Sequence, residues 1–235
     1  MSILEDIRSK LESKTDDGLS FECLEVSSRE SEITGFRCYR NSQTVDLSKN
    51  VRLPGCMQAF IDSVSESRPG MRFFDYSERD NGTISVSFLI DKSTFDYSVL
   101  ERRSVDPARL KQYGYLISLS GRVLETKEYY IIENVDQLDH PVIDPGFHAT
   151  ILSHSYVPGL YGINSGPDLF EEKIYYKNAI TTLEREEIHV AKDLIESLPL
   201  PGILSEITES AYAHGLILRG FGYSTKEWRF YFFRK

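Results

Sequence analysis

Cysteine is scarce in this chain, and so is positive charge. Cys23, Cys38 and Cys56 are its three cysteines, an odd number with no CxxC pair. A disulfide framework and a cysteine-rich zinc cluster are thereby disfavoured, and a reduced, cytoplasmic setting is expected. Lys and Arg number 27 against 36 Asp and Glu, for a formal net charge of −9. A nucleic-acid binder ordinarily carries the opposite balance, as does a basic membrane-surface protein. No run approaches the roughly 20 apolar residues that span a bilayer. The amphipathic N-terminus, MSILEDIRSKLESK, lacks the apolar centre of a signal peptide. These scarcities still leave room for a small internal basic pocket.

Aromatic residues, by contrast, are plentiful. Fourteen Tyr and 13 Phe stand beside a single Trp. Tyr pairs an apolar body with a polar tip, which suits a wet cavity wall. Apolar residues make up 40% of the chain, enough for a real core.

The strongest organising signal is a repeat. Five times an apolar-alternating run, a turn and a second run follow each other, over 19–41, 71–91, 113–132, 158–179 and 214–234. Turn residues sit between the runs at Arg79-Asp80-Asn81-Gly82, Ser120-Gly121, Asn164-Ser165-Gly166-Pro167 and Gly222-Tyr223-Ser224; the first turn, Ser28 to Glu32, is polar and lacks Gly. Helical spacing of apolar residues predicts helices over 2–14, 54–66, 183–197 and 201–213. Asp106-Pro107 reads as an N-cap and first-turn pair opening a segment over 106–112. The stretch 133–157 reads as loop with about one helical turn. The second strands centre near Tyr39, Ser87, Tyr129, Tyr175 and Tyr231, 42 to 56 residues apart. Two strands per unit are too few for a propeller blade. The expectation is one α+β domain over 1–235: a closed ten-stranded antiparallel barrel of five hairpins with helices outside, wide enough to leave a lumen.

A strand alternates its faces, so residues two apart share one. Four second strands place a cation beside a tyrosine in this way: Arg37 and Tyr39, Lys127 and Tyr129, Lys173 and Lys177 around Tyr175, and Arg229 and Tyr231. The alternate faces, Trp228, Phe230 and Phe232 in one strand and Ile84, Val86, Phe88 and Ile90 in another, suit packing on helices. The cation–tyrosine pairs then line the lumen. Buried like charges are costly unless compensated, and a diphosphate compensates them through the Arg fork and the Lys point charge. Tyr rings shield an allylic carbocation from water.

Five hairpins with alternating [RK]-x-Y on inner strands resemble the ABBA aromatic prenyltransferases, in particular their indole and cyanobactin-peptide branches. The likeness of architecture covers nearly the whole chain. It implies transfer of a C5 or C10 allylic group from its diphosphate to an aromatic, amino-acid or peptide acceptor by a monomer with no nucleic-acid or membrane partner. Arg37, Lys127, Lys173, Lys177 and Arg229 are then the diphosphate ligands, and Tyr39, Tyr129, Tyr175 and Tyr231 the tyrosine shield. The first hairpin's Phe21-Glu22-Cys23-Leu24-Glu25 followed by Arg37-x-Tyr39 assigns the acceptor to Glu25, or to Glu22 in the other strand register. No covalent cofactor is implied, and Mg²⁺ has a role open to it on the leaving group. Hairpin two departs from the pattern, with Thr83, Ser85 and Ser87 where a cation and a tyrosine are expected, and the helix between hairpins three and four reads as lost.

Other chemistries have weaker signals. His148 and His154, near Asp139 and Asp144, have a spacing close to that of metal ligands but no cysteine or HExxH partner, so no metal site is assigned. The glycines at 159, 162 and 166 do not join a strand to a helix, and no nucleophile elbow is visible. The competing expectation is a non-catalytic carrier or chaperone for a hydrophobic anion such as a tetrapyrrole or a lipid.

Overall fold

The computed structural model describes residues 2–12, 23–39, 55–78, 83–100, 105–179, 184–225 and 227–234. Five helices accompany ten strands: α1 (Ile3–Glu12), β1 (Cys23–Arg29), β2 (Glu32–Tyr39), α2 (Gly55–Ser67), β3 (Met71–Glu78), β4 (Thr83–Ile90), β5 (Leu110–Ser118), β6 (Val123–Ile131), α3 (Pro145–Ser153), β7 (Tyr156–Gly166), β8 (Leu169–Asn178), α4 (Glu184–Ser197), α5 (Ile203–Ala213), β9 (Leu216–Tyr223) and β10 (Trp228–Arg234). The strands form one antiparallel sheet in the order β2-β1-β10-β9-β8-β7-β6-β5-β4-β3. The fold is therefore α+β, with the five expected hairpins. β2 and β3 are the two ends of the hydrogen-bonded order, and among the described residues no ladder joins them.

Contacts divide the chain into two compact units, 1–41 with 141–159 and 173–235, and 42–140 with 160–172; β7 and β8 run through both. In the first unit the first strand lies beside the last: Leu24 faces Phe232 and Glu25 faces Tyr231 across the β1–β10 ladder. One face of this sheet is apolar. Leu24, Val26, Leu216, Leu218, Phe221, Phe230 and Phe232 are buried, as are Leu4 and Ile7 of α1, Leu194 of α4 and Leu204 and Ile207 of α5. Burying one such side chain contributes roughly 1.5–3 kcal/mol. A capping box starts α1: the Ser2 amide donates to Glu5 Oε2 at 2.7 Å and the Glu5 amide to Ser2 Oγ at 3.3 Å. In the second unit Met57, Ile61 and Val64 of α2 are buried, as are Phe73, Ile84, Val86 and Phe88. Phe60 of α2 meets Tyr115 of β5 edge to face, with ring centroids 5.2 Å apart.

Two local expectations change. Residues 145–153 form a full helix where the sequence suggests a loop. Asp144 caps it, accepting from the Gly146 and Phe147 amides at 2.8 and 3.2 Å, and Pro145 opens it. Asp106-Pro107, the same pair of residues, opens only one 3-10 turn over Pro107–Arg109. There Leu110 is fully buried and already paired with Tyr130, so the chain is taken into β5. The Arg79–Gly82 turn lies outside the described residues. The β5–β6 turn has Gly121 at φ 80°, the left-handed conformation for which Gly is suited.

Candidate functional site

The second face of the first unit's sheet carries the charges. β10 alternates, so Trp228, Phe230 and Phe232 face the helices while Arg229 and Tyr231 face the other way. Glu227, just before the strand, continues that parity. β1 contributes Glu25, paired with Arg37 on one side and Tyr231 on the other. β8 contributes Lys173 and Tyr175. Between these residues of β8 and β10, β9 places glycines on this face: Gly222 pairs with Tyr175 and Arg229, and Gly220 with Tyr231 and Lys177. A Cβ on Gly222 would lie 3.0 Å from the Tyr175 ring. The missing side chain lets that ring lie across β9, where its centroid is 6.3 Å from that of Tyr231.

Glu227 organises the charges. Lys173 is 1% exposed, and its Nζ donates to Glu227 Oε1 at 3.2 Å. Arg229 bonds the same oxygen through Nε and Nη2. Its Nη1 lies 3.8 Å from Glu25 Oε1, and Glu25 is 7% exposed. Burial would raise the Glu227 carboxyl, but Arg229 and Lys173 outweigh it and hold Glu227 below its ordinary value. Burial likewise opposes the Arg229 charge, and Tyr231, Glu25, Glu227 and Tyr175 outweigh it in favour of the protonated form. The group is an alternating network of two carboxylates and two cations beside two tyrosines.

Of the expected site residues, this unit brings together Glu25, Lys173, Arg229, Tyr175 and Tyr231. Arg37 is half-buried opposite Glu25. Lys177 is exposed, with its stem over Gly159. Lys127 and Tyr129 belong to the second unit, where Lys127, 7% exposed, donates to Ser85 Oγ at 3.2 Å beside Gly114. Glu22 and the Tyr39 side chain lie outside the described residues. Glu227 was missed by the sequence reading, although Glu227-x-Arg229-x-Tyr231 carries the same two-residue alternation that singled out its neighbours.

Two histidines bond groups close by. His148 Nδ1 lies 2.8 Å from the Tyr176 hydroxyl, and His154 Nδ1 2.8 Å from the Thr150 carbonyl. Among the described residues no three His, Cys, Asp or Glu side chains are grouped to hold a metal ion.

At the end of the sheet a cleft of about 850 Å³ opens beside the same network. Phe147 of α3, Tyr223, Trp228, Leu200, Arg29 and Glu227 are among the residues lining it.

No family model and no curated protein matches this chain. A solved structure similar to it is a DUF2874 family protein from Bacteroides ovatus, 12% identical, covering 55% of this chain and 73% of its own, at a TM-score of 0.28.

Proposed function

We propose that this chain is a prenyltransferase, and that its polar sheet face holds an allylic diphosphate. One observation carries the reading: Lys173 and Arg229 converge on a single anionic group, the Glu227 carboxylate, with Tyr175 and Tyr231 alongside. An anionic head that takes the place of Glu227 meets both cations. In the reaction the allylic C–O bond breaks and its electron pair leaves with the diphosphate. The acceptor's nucleophilic atom bonds the freed carbon and gives its proton to Glu25. The pairing of β1 with β10 supports closure of the sheet into a single barrel, completed by approach of β2 and β3.

The purified chain is incubated with dimethylallyl diphosphate and a panel of tryptophan, tyrosine and short peptides. Diphosphate release together with an acceptor heavier by one prenyl group is expected. Binding of the diphosphate with no release would replace the enzyme by a carrier, and absence of binding would overturn both. The competing reading, a carrier for a hydrophobic anion, is told apart by the product, since a carrier returns its ligand unchanged and releases no diphosphate.

A further inference from the structure

The cleft beside Glu227 has one apolar wall and one polar wall. Three rings make the apolar wall. Tyr223 and Trp228 have centroids 4.4 Å apart at 57°, and Phe147 lies 6.3 Å from Tyr223 and 6.1 Å from Trp228. Leu200, in the link between α4 and α5, extends it. The β1–β2 turn supplies Arg29 and Glu30 to the other wall, and Glu227 closes the site toward the charge network. A volume of about 850 Å³ lies within the usual range of small-molecule sites, roughly 300–1,000 Å³.

The use Glu227 makes of its two oxygens decides what fits. Among the described residues the hydrogen bonds to its side chain, from Lys173 Nζ and Arg229 Nε, go to Oε1, and Arg229 Nη2 pairs with the same oxygen. Among the described residues nothing donates to Oε2. An ionised carboxylate largely withdrawn from water, with one oxygen to which none of the described residues donates, is a strong acceptor. An organic cation gains little here, because Lys173 and Arg229 already balance the charge. An anion meets Glu227 and Glu30, and Arg29 on that wall is already engaged in an interaction of its own. A neutral donor gains a charge-assisted hydrogen bond and loses little on leaving water.

We infer that this cleft binds a small, neutral, planar aromatic molecule carrying one O–H or N–H donor, its ring against Trp228 and Tyr223 and its donor on Glu227 Oε2. Binding here requires no allylic diphosphate.

Trp228 is the chain's one tryptophan, so its emission reports directly on the cleft. The full chain is titrated with phenol, with anisole and with benzylamine, exciting beyond the probes' own absorption. Anisole keeps the ring and lacks the donor, and benzylamine is cationic. Phenol should change the emission saturably, with anisole and benzylamine at least about tenfold weaker. Glu227→Gln, which keeps an acceptor and loses the charge, should weaken phenol several-fold more than anisole. Phe147→Ala should weaken phenol and anisole alike. Equal binding of phenol and anisole by the native chain would overturn the inference, as would tightest binding of benzylamine or a response that does not saturate. The comparison of probes on the native chain decides the matter even if Glu227→Gln fails to fold.

Discussion

Lys173 and Glu227 stand 54 residues apart in the sequence and 3.2 Å apart in the fold, and the lysine is 1% exposed. Glu227 also bonds Arg229, which reaches Glu25 in turn. Charge on this face is balanced by the chain's own carboxylates, so the electrostatic argument that a lumen of cations demands a bound anion loses its force in this unit.

Removing one member of a buried ion pair leaves its partner poorly compensated, at a cost of about 3–5 kcal/mol. Lys173→Met and Glu227→Leu should each destabilise by about that much. The double variant should cost clearly less than the sum of the two, since both charges then leave together. Urea unfolding of the four proteins measures the coupling, and additive losses would show that the pair is not energetically joined.

Acid should weaken the same network. Glu227 is held below its ordinary value of 4.5, so its contribution is present above that pH and is lost as pH falls through the lower, folded value. Unfolding free energies measured from pH 6 downward, over about three units, should drop more steeply for the native chain than for Glu227→Gln. Parallel curves would show that other carboxylates govern acid unfolding.

Alkali should act through the buried tyrosines, Tyr113 of the second unit among them. Burial, then the neighbouring Tyr115 and Glu128, push Tyr113 up from 10.0 to about 12. A group with a raised folded value contributes stability fully below its unfolded value and loses it as pH rises through the folded one. Stability should therefore fall between pH 10 and about 12, and Tyr113→Phe should remove a share on the order of 2 kcal/mol from that fall. Denaturant unfolding across the range checks the share, and tyrosinate absorbance checks the titration.

The two glycines of β9 should differ sharply. A Cβ on Gly220 would lie 2.3 Å from the Tyr176 carbonyl oxygen, part of the neighbouring strand's backbone. A Cβ on Gly222 would press on the Tyr175 ring at 3.0 Å, and a ring can turn. Gly220→Ala should destabilise by about 1–3 kcal/mol or more. Gly222→Ala should cost less while moving Tyr175 away from Tyr231, visible as a change in tyrosine ring shifts by NMR. Equal costs would mean that the backbone at Gly220 yields as readily as a side chain.

Much of the fold was legible because its signals are local. Alternation placed Trp228, Phe230 and Phe232 on one face and Arg229 and Tyr231 on the other, and the structure keeps that division. Helical spacing located α1, α2, α4 and α5 to within a residue or two. Asp-Pro pairs were a poorer guide. Asp144-Pro145 opens a helix and Asp106-Pro107 a single turn, and the difference lies downstream, where Leu110 is claimed by Tyr130 on β6.

From the sequence by itself came the hairpins, the faces of their strands and the residue types on each face, because a strand's period of two is a property of its own backbone. Tertiary structure decided which of those residues meet. Only the β1–β10 ladder sets Glu25 opposite Tyr231, and only the β8–β9–β10 stack, thinned by Gly220 and Gly222, brings Tyr175 to Tyr231. The meeting of Lys173 with Glu227 is of the same kind. Which strands lie side by side, and in what register, follows from burying the apolar face beneath the helices as a whole, and no local pattern in the chain records it.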